Sequence, residues 1–196
     1  MLGSLRALKI THVDTEMAWR GGQQSLLTLA RGLRERGHVQ TIVSPEGSAL
    51  REKAKADGFA VATGVSREVD IAHAHSGRAH NKVLRATLGS RVVRVVTRHV
   101  AFAPRHPMIH RLKYTKTCHG IIAVSDAVKD VLVRSGIPGN HVEVIHTGVA
   151  LPDEVTRIAH RGFVAGHMGA FTREKGQGRI DCRGSFVAGR AVCVGG

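Results

Sequence analysis

Acidic residues are scarce in this chain. Asp and Glu number 15 against 29 Lys and Arg, a net charge of +14 over 196 residues. A surface so unbalanced attracts polyanions, and nucleic acid, an anionic membrane and phosphorylated small molecules are the candidate classes. Aromatics make up only 4%. With no helix-turn-helix, no zinc finger and no paired RNA-stacking aromatics, a specific nucleic-acid partner is not expected. Cysteine is scarcer still. Cys118, Cys182 and Cys193 are odd in number and lack a spacing pattern, so neither a disulfide framework nor a zinc site follows. No apolar run approaches a membrane span, and Met1–Leu8 has too short an apolar core for a signal peptide. The expectation is a cytoplasmic protein, at most peripheral on the inner face of a membrane.

What remains is rich in Val, Ile, Leu and Ala, with a hydrophobic fraction of 42%. Small branched residues suit strands buried on both faces of a parallel sheet. Leu8–Val13 reads as a first strand. A polar loop and the pair Gly21-Gly22 follow, and then a helix to about Arg36 with Leu26, Leu27, Leu29, Ala30 and Leu33 at helical spacing. Gly37 closes it as a left-handed cap. Strands are expected at 39–44, 59–62, 69–73, 91–100, 120–124 and 142–145, and helices at 48–57, 78–88, 108–116 and 127–135. Strand and helix alternate without repeats. That predicts an α/β fold, a Rossmann-like doubly wound parallel sheet with ligands outside the carboxyl ends of its strands.

A glycine pair at a helix start lets a ligand approach N–H groups at the positive end of the dipole, which is how phosphate is held in such folds. An ordinary turn gives the same two letters. His73 and His75 are two apart and share a strand face; no third metal ligand is evident, and no metal is expected. Ser125-Asp126 reads most simply as a helix cap. Arg98, Arg105, Arg111, Lys113 and Lys116 concentrate charge in one stretch. They form either a solvated face or a docking surface for an anionic membrane or a phosphorylated glycolipid.

Six segments in order resemble the N-terminal, acceptor-side half of the retaining GT-B glycosyltransferases of family four. They are Gly21-Gly22-Gln23-Gln24, the helix end Leu29-Ala30 to Arg36-Gly37-His38, the strand Asp70-Ile71-Ala72-His73-Ala74-His75, Val96-Thr97-Arg98-His99, Ile122-Ala123-Val124-Ser125-Asp126, and Val144-Ile145-His146-Thr147-Gly148-Val149. A further piece, Arg173-Glu174-Lys175-Gly176-Gln177, looks like the phosphate loop opening that family's donor-binding domain. Ala170 stands where the family has an arginine.

The resemblance implies transfer of a sugar from a nucleoside diphosphate sugar to a cell-surface glycan or glycolipid, with no cofactor beyond that substrate. It places His99 against the donor sugar as the catalytic candidate, Gly21, Gly22 and Lys175 on the diphosphate, and Ser125 and Asp126 near the acceptor. Residues 1–155 would form the acceptor-side domain. Residues 156–196 would form a linker and an incomplete start of the donor domain. After Gln177 the text is Gly- and Arg-rich, and no glutamate follows Glu174. The family's glutamate pair is therefore not found, and the chain as written is expected to be inactive or feeble. Two other readings stay open. One is a non-catalytic module for a phosphorylated glycan, an anionic membrane or a partner subunit. The other is a basic nucleic-acid-associated protein.

Overall fold

The computed structural model describes residues 6–99 and 107–149. They lie within one compact unit, Met1–Leu151. The expected linker and second segment, with Lys175, fall outside the described residues, as does Arg105.

The elements follow as β1 (Lys9–Val13), α1 (Gly21–Glu35), β2 (Val39–Val43), α2 (Ala49–Ala56), β3 (Ala60–Ala62), β4 (Ile71–Ala74), α3 (Gly77–Thr87), β5 (Val93–Arg98), α4 (Pro107–Thr117), β6 (Gly120–Ala123), α5 (Asp126–Arg134) and β7 (Val142–Val144). Among the described residues the strands form one seven-stranded sheet in the order β3-β2-β1-β4-β5-β6-β7. Every pairing is parallel. The expected doubly wound α/β class is the observed one.

Local chemistry sets the boundaries. Gly37, Gly58, Gly89 and Gly136 follow α1, α2, α3 and α5 at positive φ, where a side chain would crowd the following carbonyl. Ser48, Ser76 and Ser125 cap α2, α3 and α5, each hydroxyl accepting a backbone N–H two or three residues into the helix. Asp126 is not a cap but the first residue of α5, where its charge suits the helix dipole. The strand expected from Val69 begins instead at Ile71. Asp70 turns its carboxylate back across the sheet end to accept the Lys9 N–H at 2.8 Å. A short 3-10 turn, Gly139–His141, was not foreseen.

Two apolar clusters hold the layers together. On one face Leu26, Leu27 and Ala30 of α1 meet Ile42, Leu50, Ala54 and Phe59. On the other, Val13, Val43, Ala72, Ala74, Val96 and Ile121 pack under Ala79, Val83, Tyr114, Val128 and Leu132. Leu26 is fully buried, so Leu26→Ala is expected to cost about 2–5 kcal/mol in urea unfolding. A loss under about 1 kcal/mol would mean that α1 does not carry this face. No helix among the described residues is long and apolar enough to cross a membrane.

Candidate functional site

The chain leaves β1 toward β2 and β3, but leaves β4 toward β5, β6 and β7. The order therefore reverses between β1 and β4, which opens a crevice outside their carboxyl ends. The N-terminus of α1 lies at this point. Neither Gly21 nor Gly22 has positive φ, so space rather than backbone geometry is what glycine provides there. A Cβ on Gly21 would meet nothing within 4 Å, and one on Gly22 would lie 3.7 Å from the His99 ring. Any longer side chain at Gly22 would fill the gap between the helix end and that histidine.

His12 of β1 is paired in register with His73 of β4, and His75 follows two residues on, so all three rings share a face. The ring centroids of His73 and His75 are 4.1 Å apart, those of His12 and His75 5.3 Å. His99, one residue beyond β5, continues the file, stacked 6.2 Å from His75.

A hydrogen-bond chain fixes the protons. The Gln40 amide donates to the Ala30 carbonyl at 2.7 Å, an obligatory acceptor, so the Gln40 oxygen faces His12 Nε2 at 2.9 Å and must accept its N–H. His12 Nδ1 is then the acceptor for His75 Nε2–H at 3.1 Å. His75 Nδ1 is left as a bare, buried lone pair without a partner among the described residues. His73 Nε2 meets the Thr97 hydroxyl at 2.7 Å. His99 Nε2 is also buried and unpartnered among the described residues.

Burial decides the charge of the file. It lowers the His12 pKa to about 4, against a raising contribution from Gln40. His73 and His75 are pushed well below the ordinary imidazole value, by burial first; the charge of His12 and then His99 adds to it at His73, and that of His73, His12 and His99 at His75. His99 is lowered by burial and then by Arg98. The file is neutral at pH 7. Asp14, at the end of β1, is a buried carboxyl whose pKa burial raises. It accepts the Gln23 amide at 3.1 Å and the Glu16 N–H at 2.8 Å, tying the β1 end to the first turn of α1.

The structure brings Gly21, Gly22 and His99 to one crevice. His12 supplies the third nitrogen expected to be missing beside His73 and His75: ring nitrogens of the three lie within 4.8 Å of one another, a grouping able to hold a cation. His12, Asp14, Gln23 and Gln40 were missed from sequence. For His12 and Gln40 the signal was a polar residue at a buried strand position; Asp14, just past β1, and Gln23, in the first turn of α1, carried none. Arg98 and Lys113 do not join Arg111 and Lys116 on the exposed side of the chain. Both are half-buried and turned toward Gly77 and Tyr114. Ser125 is spent on its helix, its hydroxyl accepting the Val128 N–H at 3.3 Å.

Residues 61–151 match the family model described as Glycosyltransferase Family 4. No curated protein matches the sequence. Among solved structures, Anabaena HepE in complex with UDP-glucose is similar with a TM-score of 0.63 at 18% identity, over 72% of this chain and 44% of that one. A glycosyltransferase from Rickettsia africae ESF-5 gives 0.63 at 19%, over 74% and 44%. The lipopolysaccharide outer core galactosyltransferase WaaB, in its apo form, gives 0.54 at 11%, over 74% and 47%. The chain thus spans under half the length of the structures it matches. At these identities the likeness is one of fold, and the sequence match lies within the same domain. Residues 61–151 therefore resemble that family in sequence, and the described sheet shares the fold of these glycosyltransferase structures.

Proposed function

We propose that this domain is the acceptor-side half of a retaining glycosyltransferase that moves a sugar from a nucleoside diphosphate sugar to a glycan or glycolipid of the cell surface. The observation that carries the reading is the placement of Gly22 against His99. An open helix N-terminus and a neutral imidazole with a free buried nitrogen face one gap at the sheet's switch point. The leaving diphosphate develops negative charge, and oriented N–H dipoles stabilise it without rearrangement; a single such donor is worth about 3 kcal/mol of barrier. His99 is the group placed to hydrogen-bond the donor sugar. Attack by the acceptor hydroxyl on the face the diphosphate leaves needs no protein nucleophile and no cofactor or resident metal. Exposed Arg111 and Lys116 suit docking of the protein on the inner face of an anionic membrane, where each cation adds about 1 kcal/mol.

The neighbour HepE is recorded with UDP-glucose, which makes that compound the first probe. Titrating it into the isotope-labelled chain is expected to move the amide resonances of Gly21 and Gly22 and the ring resonances of His99 along one saturable curve. If those signals stay still while the rest of the spectrum is intact, the crevice is not a sugar-nucleotide site.

A further inference from the structure

Arg98 and His99 are consecutive, so the end of β5 sends them to opposite faces of the sheet. Arg98 goes to the face covered by α3 and α4. Its Nη1 donates to the Tyr114 hydroxyl at 3.3 Å and lies 3.0 Å from where a Cβ on Gly77 would stand. Glycine as the first residue of α3 lets the guanidinium approach the backbone this closely; a Cβ there would push it back by a few tenths of an ångström. Its Nε is buried without a partner. Lys113 reaches the same spot from α4. Its ammonium donates to the Gly77 carbonyl at 3.3 Å and sits 5.5 Å from the Tyr114 ring.

Two cations therefore converge on one residue, with no ion-pair partner for either among the described residues. The ion pairs among the described residues join Arg6 to Asp70, Arg31 to Asp57, Lys55 to Glu52 and Arg78 to Glu16, and involve neither. The proximity is costly: burial, and then the charge of Arg98, lower the Lys113 pKa. The Tyr114 ring and hydroxyl position the pair, but a neutral phenol does not cancel two charges. The spot is also the positive end of an eleven-residue helix. The Ser76 hydroxyl takes the Ala79 N–H at 3.1 Å and the Ser76 carbonyl takes the His80 N–H, which leaves Gly77 and Arg78 as the first-turn N–H groups not used by the cap.

We propose that Arg98, Lys113 and the first turn of α3 form a binding site for a phosphate group. A dianion matches two cations where a single carboxylate would match one, and the guanidinium fork suits tetrahedral oxygens. The site lies across the sheet from the His99 crevice and stands whether or not the sugar-nucleotide reading holds. The phosphate is borne either by a small soluble ester or by an anionic lipid headgroup.

The test is calorimetric titration of the full chain with inorganic phosphate at low ionic strength. Saturable binding is expected. Arg98→Gln and Lys113→Gln should each weaken it at least tenfold, and Arg134→Gln, exposed at the end of α5, less than twofold. Arg98→Lys, which keeps the charge and loses the fork, should fall between. Phosphate should also raise the melting midpoint of the unmutated chain relative to chloride at equal ionic strength, a readout that survives if a variant fails to fold. The second arm is sedimentation with vesicles of phosphatidic acid in phosphatidylcholine. Sedimentation that depends on Arg98 and Lys113 and is relieved by free phosphate assigns the group to a lipid; phosphate binding without it assigns a soluble ester. Absence of saturable binding, or an equal loss in Arg134→Gln, overturns the proposal in favour of diffuse surface charge.

Discussion

Below pH 6.5 the domain is expected to lose stability at up to about 4 kcal/mol per pH unit. His12, His73 and His75 are buried and held neutral in the folded chain, with His12 lowered to about 4 and the other two well below their ordinary value. Unfolded, each titrates near 6.5. Between these limits the unfolded state binds more protons than the folded one, so stability falls as pH falls, by about 1.4 kcal/mol per unit for each histidine. Above pH 6.5 the three contribute no slope. His12 stops contributing near pH 4. The raised Asp14 works in the opposite sense in the acid range, but it is one group against three. By pH 5 His12 alone has removed about 2 kcal/mol, and His73 and His75 add to that loss, against a whole stability of about 5–15 kcal/mol for a typical domain. Urea midpoints measured from pH 8 to pH 5 should therefore collapse toward the acid end. His12→Gln should flatten the slope by about one proton's worth. A midpoint that is constant between pH 7 and pH 5 would show that the file is hydrated or open.

Gly22→Val is expected to abolish sugar-nucleotide binding while leaving the fold standing. The Cβ alone would sit in ordinary contact with the His99 ring at 3.7 Å, and valine is somewhat better than glycine inside a helix. Stability should change by less than about 1 kcal/mol. The added methyl groups, however, occupy the gap between the helix N–H groups and His99. We expect at least a hundredfold loss of UDP-glucose affinity by calorimetry, about 2.7 kcal/mol. Gly21→Ala, which meets open space, should cost far less. Were Gly22→Val to unfold the chain instead, the glycine would be a packing requirement. Unchanged affinity would remove the α1 terminus from the site.

Much of this architecture was legible in the residues. The β-branched run at the centre of β5, the helical spacing of Leu26, Leu27 and Ala30, and the glycine or serine at helix ends are local signals, because backbone sterics and capping act within a few residues. The parallel sheet followed from strand–helix alternation. The Gly21-Gly22 pair and His99 could be picked out because their residue types sit at strand ends and helix starts, where such a sheet opens.

The histidine file was not legible. His12 and His75 are 63 residues apart and Gln40 lies between them in sequence; only the β1–β4 register makes them neighbours. The split between Arg98 and Lys113 on one side and Arg111 and Lys116 on the other was equally hidden. A basic run carries no mark of which cation the sheet face and the neighbouring helix will draw inward.

The sequence by itself determined where the chain turns, which segments are strands or helices, and that the surface is strongly basic. These are matters of short-range sterics, hydrophobic period and composition. Only the tertiary structure decided which polar groups meet. Protonation state, tautomer and charge pairing depend on burial and on partners brought together by strand order, and such contacts have no counterpart along the chain.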